Sequence, residues 1–145
     1  MSWESIVRTE QDYVVLMLRV ALGIVLFAHG MGKLMGWFGG HGVRGTTRRM
    51  TELGMPKFVA LLVILGEGLG SIAILLGLFG RIAATGMFII MTGAMIKNIP
   101  NGWFMNWFGK KEKEGIEYFI LLLSILIAII VRGSGAFSID YYLYT

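Results

Sequence analysis

Apolar residues run almost unbroken through four stretches of the chain, residues 13–35, 58–78, 82–99 and 116–131, and polar or glycine-rich segments separate them. At 1.5 Å of helix rise per residue, each stretch covers most or all of a hydrocarbon core of about 30 Å. The pattern therefore predicts four membrane-spanning helices. The third and fourth are the shortest, which predicts tilt or local thinning of the bilayer around them. The connecting segments 36–57 and 100–115 are too short to fold alone, so soluble chemistry, where it accompanies this protein, belongs to another chain. The expected fold is an all-α, integral membrane four-helix bundle, a single domain over residues 1–145.

Composition agrees with this reading. Of the 145 residues 56% are hydrophobic and 15% charged, against about 45–50% and about 25% in soluble domains. Glu4, Glu10 and Asp12 crowd the region that a signal peptide keeps basic, and Arg19 interrupts what would be its apolar core, so the first helix is expected to stay. The absence of cysteine excludes disulfides, thiolate catalysis and thiolate-held iron–sulfur clusters. The net charge of +4 sits beside the spans, where it reads as a topology and anionic-lipid signal rather than a nucleic-acid surface.

Charge also orients the bundle. An even number of spans puts both termini and the Gly80-Arg81 turn on one side, with Arg8, Arg81 and Arg132. The other side carries Arg44, Arg48, Arg49, Lys57, Lys110, Lys111 and Lys113. The positive-inside rule then predicts a multi-pass protein of the inner (plasma) membrane with both termini outside and the two longer loops in the cytoplasm. Trp37, Trp103 and Trp107 fall near span ends and read as interfacial aromatics. Ala28, Gly32 and Gly36, and Gly66 with Gly70, form small-residue ladders suited to close helix packing.

Ionisable side chains at membrane depth are expensive, and their default reading is a site facing the bundle interior. Arg19, His29 and Lys33 share one face of the first helix on a wheel of about 100° per residue. Glu67, between glycines, is about 15 Å from the loop end of the second helix. Counting from the helix ends places Arg19 and His29 on either side of Glu67 in depth, so Glu67 is expected to pair with one of them. Lys33, Lys97, Asn98, Asn101 and Glu117 gather at the mouth. The result is a polar column suited to an amphiphile with a polar head, such as a quinone, each of whose carbonyls needs a hydrogen-bond donor or proton source, for which His29, Lys33 and Glu67 could serve. Each member also has a plainer reading: Lys33, Lys97 and Glu117 could snorkel to the interface, Glu67 with Arg19 could merely fix helix register, and His29 could be an interior histidine bonded to a carbonyl. Haem held by His29 and His41 fits less well, because His41 lies in a glycine-rich loop. There is no HExxH, two-metal acid cluster or nucleophile elbow, and no metal site is expected.

At these residues the chain resembles the DoxX family of small membrane proteins. The likeness is carried by LRVALGIVLFAHGMGKLMGWFGG (18–40), GMPKFVALLVILGEGLGSIAILLGLFGRIAA (54–84), PNGWF (100–104), IEYFILLL (116–123) and GSGAFSID (133–140). The resemblance implies a four-helix bundle with family positions at Arg19, His29, Lys33, Glu67, Asn101 and Glu117. Some members look like subunits of thiosulfate:quinone oxidoreductase, and others are associated with oxidative-stress complexes. One departure is Asn98, where relatives often carry histidine. The function expected is thus a quinone-interacting subunit of a membrane redox or oxidative-stress system, working with a soluble redox subunit. A scaffold for soluble oxidoreductases and a carrier of hydrophobic small molecules are the alternatives. Expected partners are the bilayer and a quinone-like molecule, with self-association into a homo-oligomer left open.

Overall fold

The computed structural model describes residues 2–145. Seven α-helices follow one another: α1 (Trp3–Val7), α2 (Tyr13–Met35), α3 (Gly42–Glu52), α4 (Lys57–Leu76), α5 (Gly80–Asn98), α6 (Glu117–Arg132) and α7 (Ile139–Tyr144), with 3-10 turns at Trp37–Gly39 and Ile99–Asn101. No strand occurs among the described residues. The segments Tyr13–Met35, Lys57–Leu76 and Gly80–Asn101 are long and apolar enough to cross a membrane, with mean hydropathies of 2.1, 2.4 and 1.5. Helix α6 has 16 residues, about 24 Å at helical rise, and is the short one of the four long helices.

Local chemistry sets the ends. Asp12 caps α2 by accepting from the backbone N–H groups of Val14 (3.0 Å) and Val15 (3.1 Å). Gly36 stops the helix in the left-handed region, at φ +77°, which a residue without Cβ adopts freely. Gly77, at φ +63°, does the same for α4, so that helix ends two residues before the apolar run does. Helix α5 starts at Gly80 rather than 82 because the Asp140 carboxylate accepts from the N–H groups of Phe79 and Gly80 at 2.7 and 2.8 Å, a full N-terminal cap.

The long helices close a ring in which α2 packs on α4, α4 on α5, α5 on α6 and α6 on α2. Leu22, Leu26, Ile74, Ala84, Met87, Met91, Leu122, Leu126 and Ile129 form the buried core. Of the methionines of α5, Met87 and Met91 pack inside and Met95 is half-buried. The antiparallel pair α2 and α4 comes closest at Gly30, where an added Cβ would stand 2.7 Å from the Glu67 carbonyl oxygen, and at Gly23, where it would stand 2.6 Å from Leu75 Cδ2. Those two contacts fix the register. One end of the ring gathers α1, the α4–α5 turn and α7; the opposite, loop end gathers α3 and the segment 102–116. Helix α3, within a loop expected to be too short to fold alone, is ordered by leaning on α2 and α4.

Candidate functional site

Glu67 is ten residues into α4, with its side chain 3% exposed, and its Oε2 stands 2.5 Å from Lys33 Nζ of α2. The geometry follows from two properties of the helices. Gly30 lies against the Glu67 backbone, so Lys33 is only one turn nearer the loop end than Glu67. Helical side chains lean toward their own N-terminus, which for Lys33 points deeper into the membrane and onto Glu67. Lys33 keeps 31% of its side chain exposed.

The pair forms part of the wall of a cavity of about 360 Å³ between α2, α4, α5 and α6, shared with His29, Asn98, Glu114 and Tyr118 and with the apolar Leu26, Met91, Ala94, Met105 and Phe119. His29 Nδ1 lies 2.9 Å from the Val25 carbonyl oxygen. A carbonyl only accepts, so Nδ1 carries the hydrogen and Nε2 is the nitrogen left for other partners. The Tyr118 ring lies 5.9 Å from the His29 ring at an interplanar angle of 32°.

Around this centre the other expected members take separate places. Asn98 donates to the Ala94 carbonyl (2.8 Å) and accepts from Asn101 (3.0 Å), and Asn101 donates also to the Glu114 carbonyl (2.9 Å). Asn101 therefore ties the end of α5 to the loop that leads into α6, outside the cavity wall. Glu117 accepts from the Met105 N–H at 3.0 Å and from Trp107 Nε1 at 2.5 Å, holding the loop rather than facing the cavity. Lys97 is exposed and forms no ion pair among the described residues. Trp37, Trp103 and Trp107 are exposed, at the loop end.

Arg19 departs from the expected column. It lies eleven residues from Gly30 along α2, about 16 Å, toward the opposite end of the ring. There it donates to the carbonyls of Ile74 (3.2 Å) and Leu75 at the end of α4, and to Ala136 (3.1 Å) and Phe137 (3.3 Å) before α7. The side chain is 1% exposed. The guanidinium thus neutralises the negative end of α4, while Asp140, also accepting from Ser134 Oγ at 2.6 Å, does the reverse for α5. Together they clamp the α4–α5 turn. Neither of the two partners foreseen for Glu67 is the one it has.

A second cavity, about 520 Å³, lies between the end of α2, the Trp37–Gly39 turn and α3. It shares His29 and Lys33 with the first and adds Trp37, Phe38, His41, Arg49, Met50 and Leu53. His29 and His41 thus meet one cavity. Among the described residues there is no group of three or more His, Cys, Asp or Glu placed to hold a metal ion.

Tyr118 escaped the sequence analysis because a tyrosine at a span end reads as an interfacial aromatic. Its position next to Glu117, about 100° round the helix, is the one signal that it could face inward while its neighbour faces the loop. Glu114 was hidden in a charged loop, and Asp140 lay outside every span.

Comparison with known proteins places the chain among relatives. The DoxX family model matches residues 14–106. A protein of Bacillus subtilis (strain 168) named "Putative oxidoreductase CatD" is 30% identical over 129 residues, covering 89% of this chain and 86% of its own length. "Inner membrane protein YqjF" of Escherichia coli (strain K12) is 29% identical over 137 residues, covering 90% of this chain and 92% of its own. No solved structure matches significantly.

Proposed function

The chain belongs to the DoxX family of membrane proteins, and on that premise we propose that it binds a quinone-like molecule in the Lys33–Glu67–His29 cavity as a membrane subunit of a redox system. The observation that carries this reading is an ion pair at membrane depth in the wall of a cavity that is otherwise largely apolar. A pair needed only for packing gains nothing from an adjoining void. A volume of about 360 Å³ is within the range of small-molecule sites.

The chemistry of the wall suits a quinone head. Lys33 has ammonium hydrogens beyond the one given to Glu67 and Tyr118 presents a hydroxyl, and both can donate to a carbonyl oxygen; His29 presents Nε2, which accepts from a quinol hydroxyl while Nδ1 holds the ring's hydrogen. Reduction to a quinol takes up two electrons and two protons. In this reading the chain binds and orients the head and exchanges protons with it, and a soluble partner delivers the electrons. The oxidoreductase name of the Bacillus relative supports a redox role, and the name of the Escherichia relative supports the inner membrane. The charge bias of the loops supports a cytoplasmic loop end, where such a partner would dock.

The test is native mass spectrometry of protein purified gently from its own membranes. A co-purifying quinone that is lost in Glu67→Gln and in His29→Ala, with both variants still folded in detergent, is the expected result. A wild-type protein that carries no quinone and takes none up on titration would end the proposal.

A second reading, as a docking platform for soluble oxidoreductases, is favoured by one observation. Trp103, Phe104, Trp107 and Phe108 are 51%, 64%, 61% and 87% exposed on one loop. If that reading holds instead, Phe108→Ser and Trp107→Ser abolish pull-down of soluble subunits while Glu67→Gln does not.

A further inference from the structure

We propose that the second cavity is a seat for the phosphate headgroup of an anionic phospholipid. Its position comes first: it opens where α2 ends and the amphipathic α3 lies across the bundle, at the level of the interfacial Trp37. Its charge comes next. Lys33, His41 and Arg49 stand in the wall and no aspartate or glutamate does. Lys33 is taken by Glu67, whereas the side chains of His41 and Arg49 make no hydrogen bond or ion pair among the described residues, although their neighbour Arg48 pairs with Glu52. Both side chains are exposed and open to water, and in a hollow with no acid of its own an anion is the charged partner they can take.

The remaining wall says which kind of anion. Phe38, Met50 and Leu53 line the same cavity, and Phe38 and Leu53 are 72% and 74% exposed. Phe38 meets Phe27 of α2 edge-on and Trp37 meets it tilted, with ring centroids 6.5 and 6.4 Å away, so the apolar rim continues onto the first span. A free phosphate would lose hydration against these side chains with nothing to gain from them. A phospholipid lays its acyl chains along them while its headgroup meets Arg49 and His41. A neutral lipid of the same shape would leave the two bases unmatched. This site is distinct from the quinone reading, since neither Arg49 nor His41 is in the wall of the smaller cavity.

The full chain, purified and delipidated in detergent, is titrated in native mass spectrometry with dioleoyl phosphatidylglycerol, dioleoyl phosphatidylcholine and inorganic phosphate. The expected result is a saturable one-to-one complex with the anionic lipid, several-fold tighter than with the choline lipid and not displaced by millimolar phosphate. Arg49→Gln should weaken it about fivefold, the equivalent of about 1 kcal/mol for one basic residue near anionic lipid. Arg44→Gln, also on α3 but outside the wall, should leave it unchanged. Equal weakening by both variants would show diffuse surface attraction and overturn the seat. Equal affinity for the two lipids would overturn the charge argument, and displacement by phosphate would overturn the lipid as occupant. Retention of quinone by Arg49→Gln is read separately, so that either assignment can fail alone.

Discussion

Replacing Lys33 by methionine and, separately, Glu67 by glutamine should give unequal losses of stability, because the two partners differ in access to water. Glu67 is 3% exposed and Lys33 31%. In Lys33→Met the carboxylate loses its one described partner at a position with little of its surface open, the situation in which breaking a buried pair costs about 3–5 kcal/mol. In Glu67→Gln the ammonium keeps an amide oxygen to bond and, failing that, can swing its flexible stem toward the loop end, so the loss should be about 1 kcal/mol. The double variant removes the stranded charge and should lose less than Lys33→Met alone, a coupling of roughly 2–3 kcal/mol between the two sites. Reversible unfolding in mixed micelles, titrated with dodecyl sulfate and followed by circular dichroism, measures all three. If Glu67→Gln proves as damaging as Lys33→Met, or the losses simply add, the exposure argument is wrong.

Other expectations test the frame around the site. Gly30→Ala puts a Cβ 2.7 Å from the Glu67 carbonyl oxygen, backbone that cannot turn aside, and should destabilise by about 1–3 kcal/mol in the same titration; Gly93→Ala, in open space, should be neutral or stabilise by up to about 1 kcal/mol. Asp140→Asn replaces an acceptor of three hydrogen bonds with a group that points an N–H at a donor, and should lower stability by about 1–3 kcal/mol, read by thermal melting in detergent. The Val15 N–H, with help from Arg132 and the Val14 N–H, holds the Asp12 carboxyl below its ordinary value despite some opposing desolvation. A lowered folded pKa contributes stability that is whole above the unfolded value of about 4 and is lost as pH falls through the folded one. Acid melting curves of wild type and Asp12→Asn should therefore converge below about pH 4, and a constant gap down to pH 2 would contradict the cap.

Three of the four expected spans are long and apolar enough to cross a membrane, and they were legible because a bilayer demands long apolar runs; the fourth is the 16-residue α6. Helix α2 has the bounds expected of the first span because both caps, Asp12 and Gly36, are local. The partner of Glu67 was not legible, and the reason is register. Counting depth from helix ends assumes that neighbouring helices end level, whereas Gly30 against the Glu67 backbone and Gly23 against the Leu75 side chain set α2 on α4. That offset moves Lys33 to Glu67 and carries Arg19 away from it. Helix α3 was not legible either, since its apolar positions are few among polar and glycine residues and it is ordered by contact with α2 and α4. Asp140 acts on residues about sixty positions away, a distance at which no spacing rule speaks.

The clamp at the α4–α5 turn also has a consequence for biogenesis. Arg19 enters the bilayer with the first span, but two of its four carbonyl acceptors belong to residues 136 and 137. Throughout synthesis of the intervening chain its guanidinium lacks half of its final partners, and the first hairpin waits in the membrane with an incompletely matched charge. Closure therefore belongs to the last segment translated of those described, and a nascent chain halted before Ala136 should be one that membrane proteases recognise.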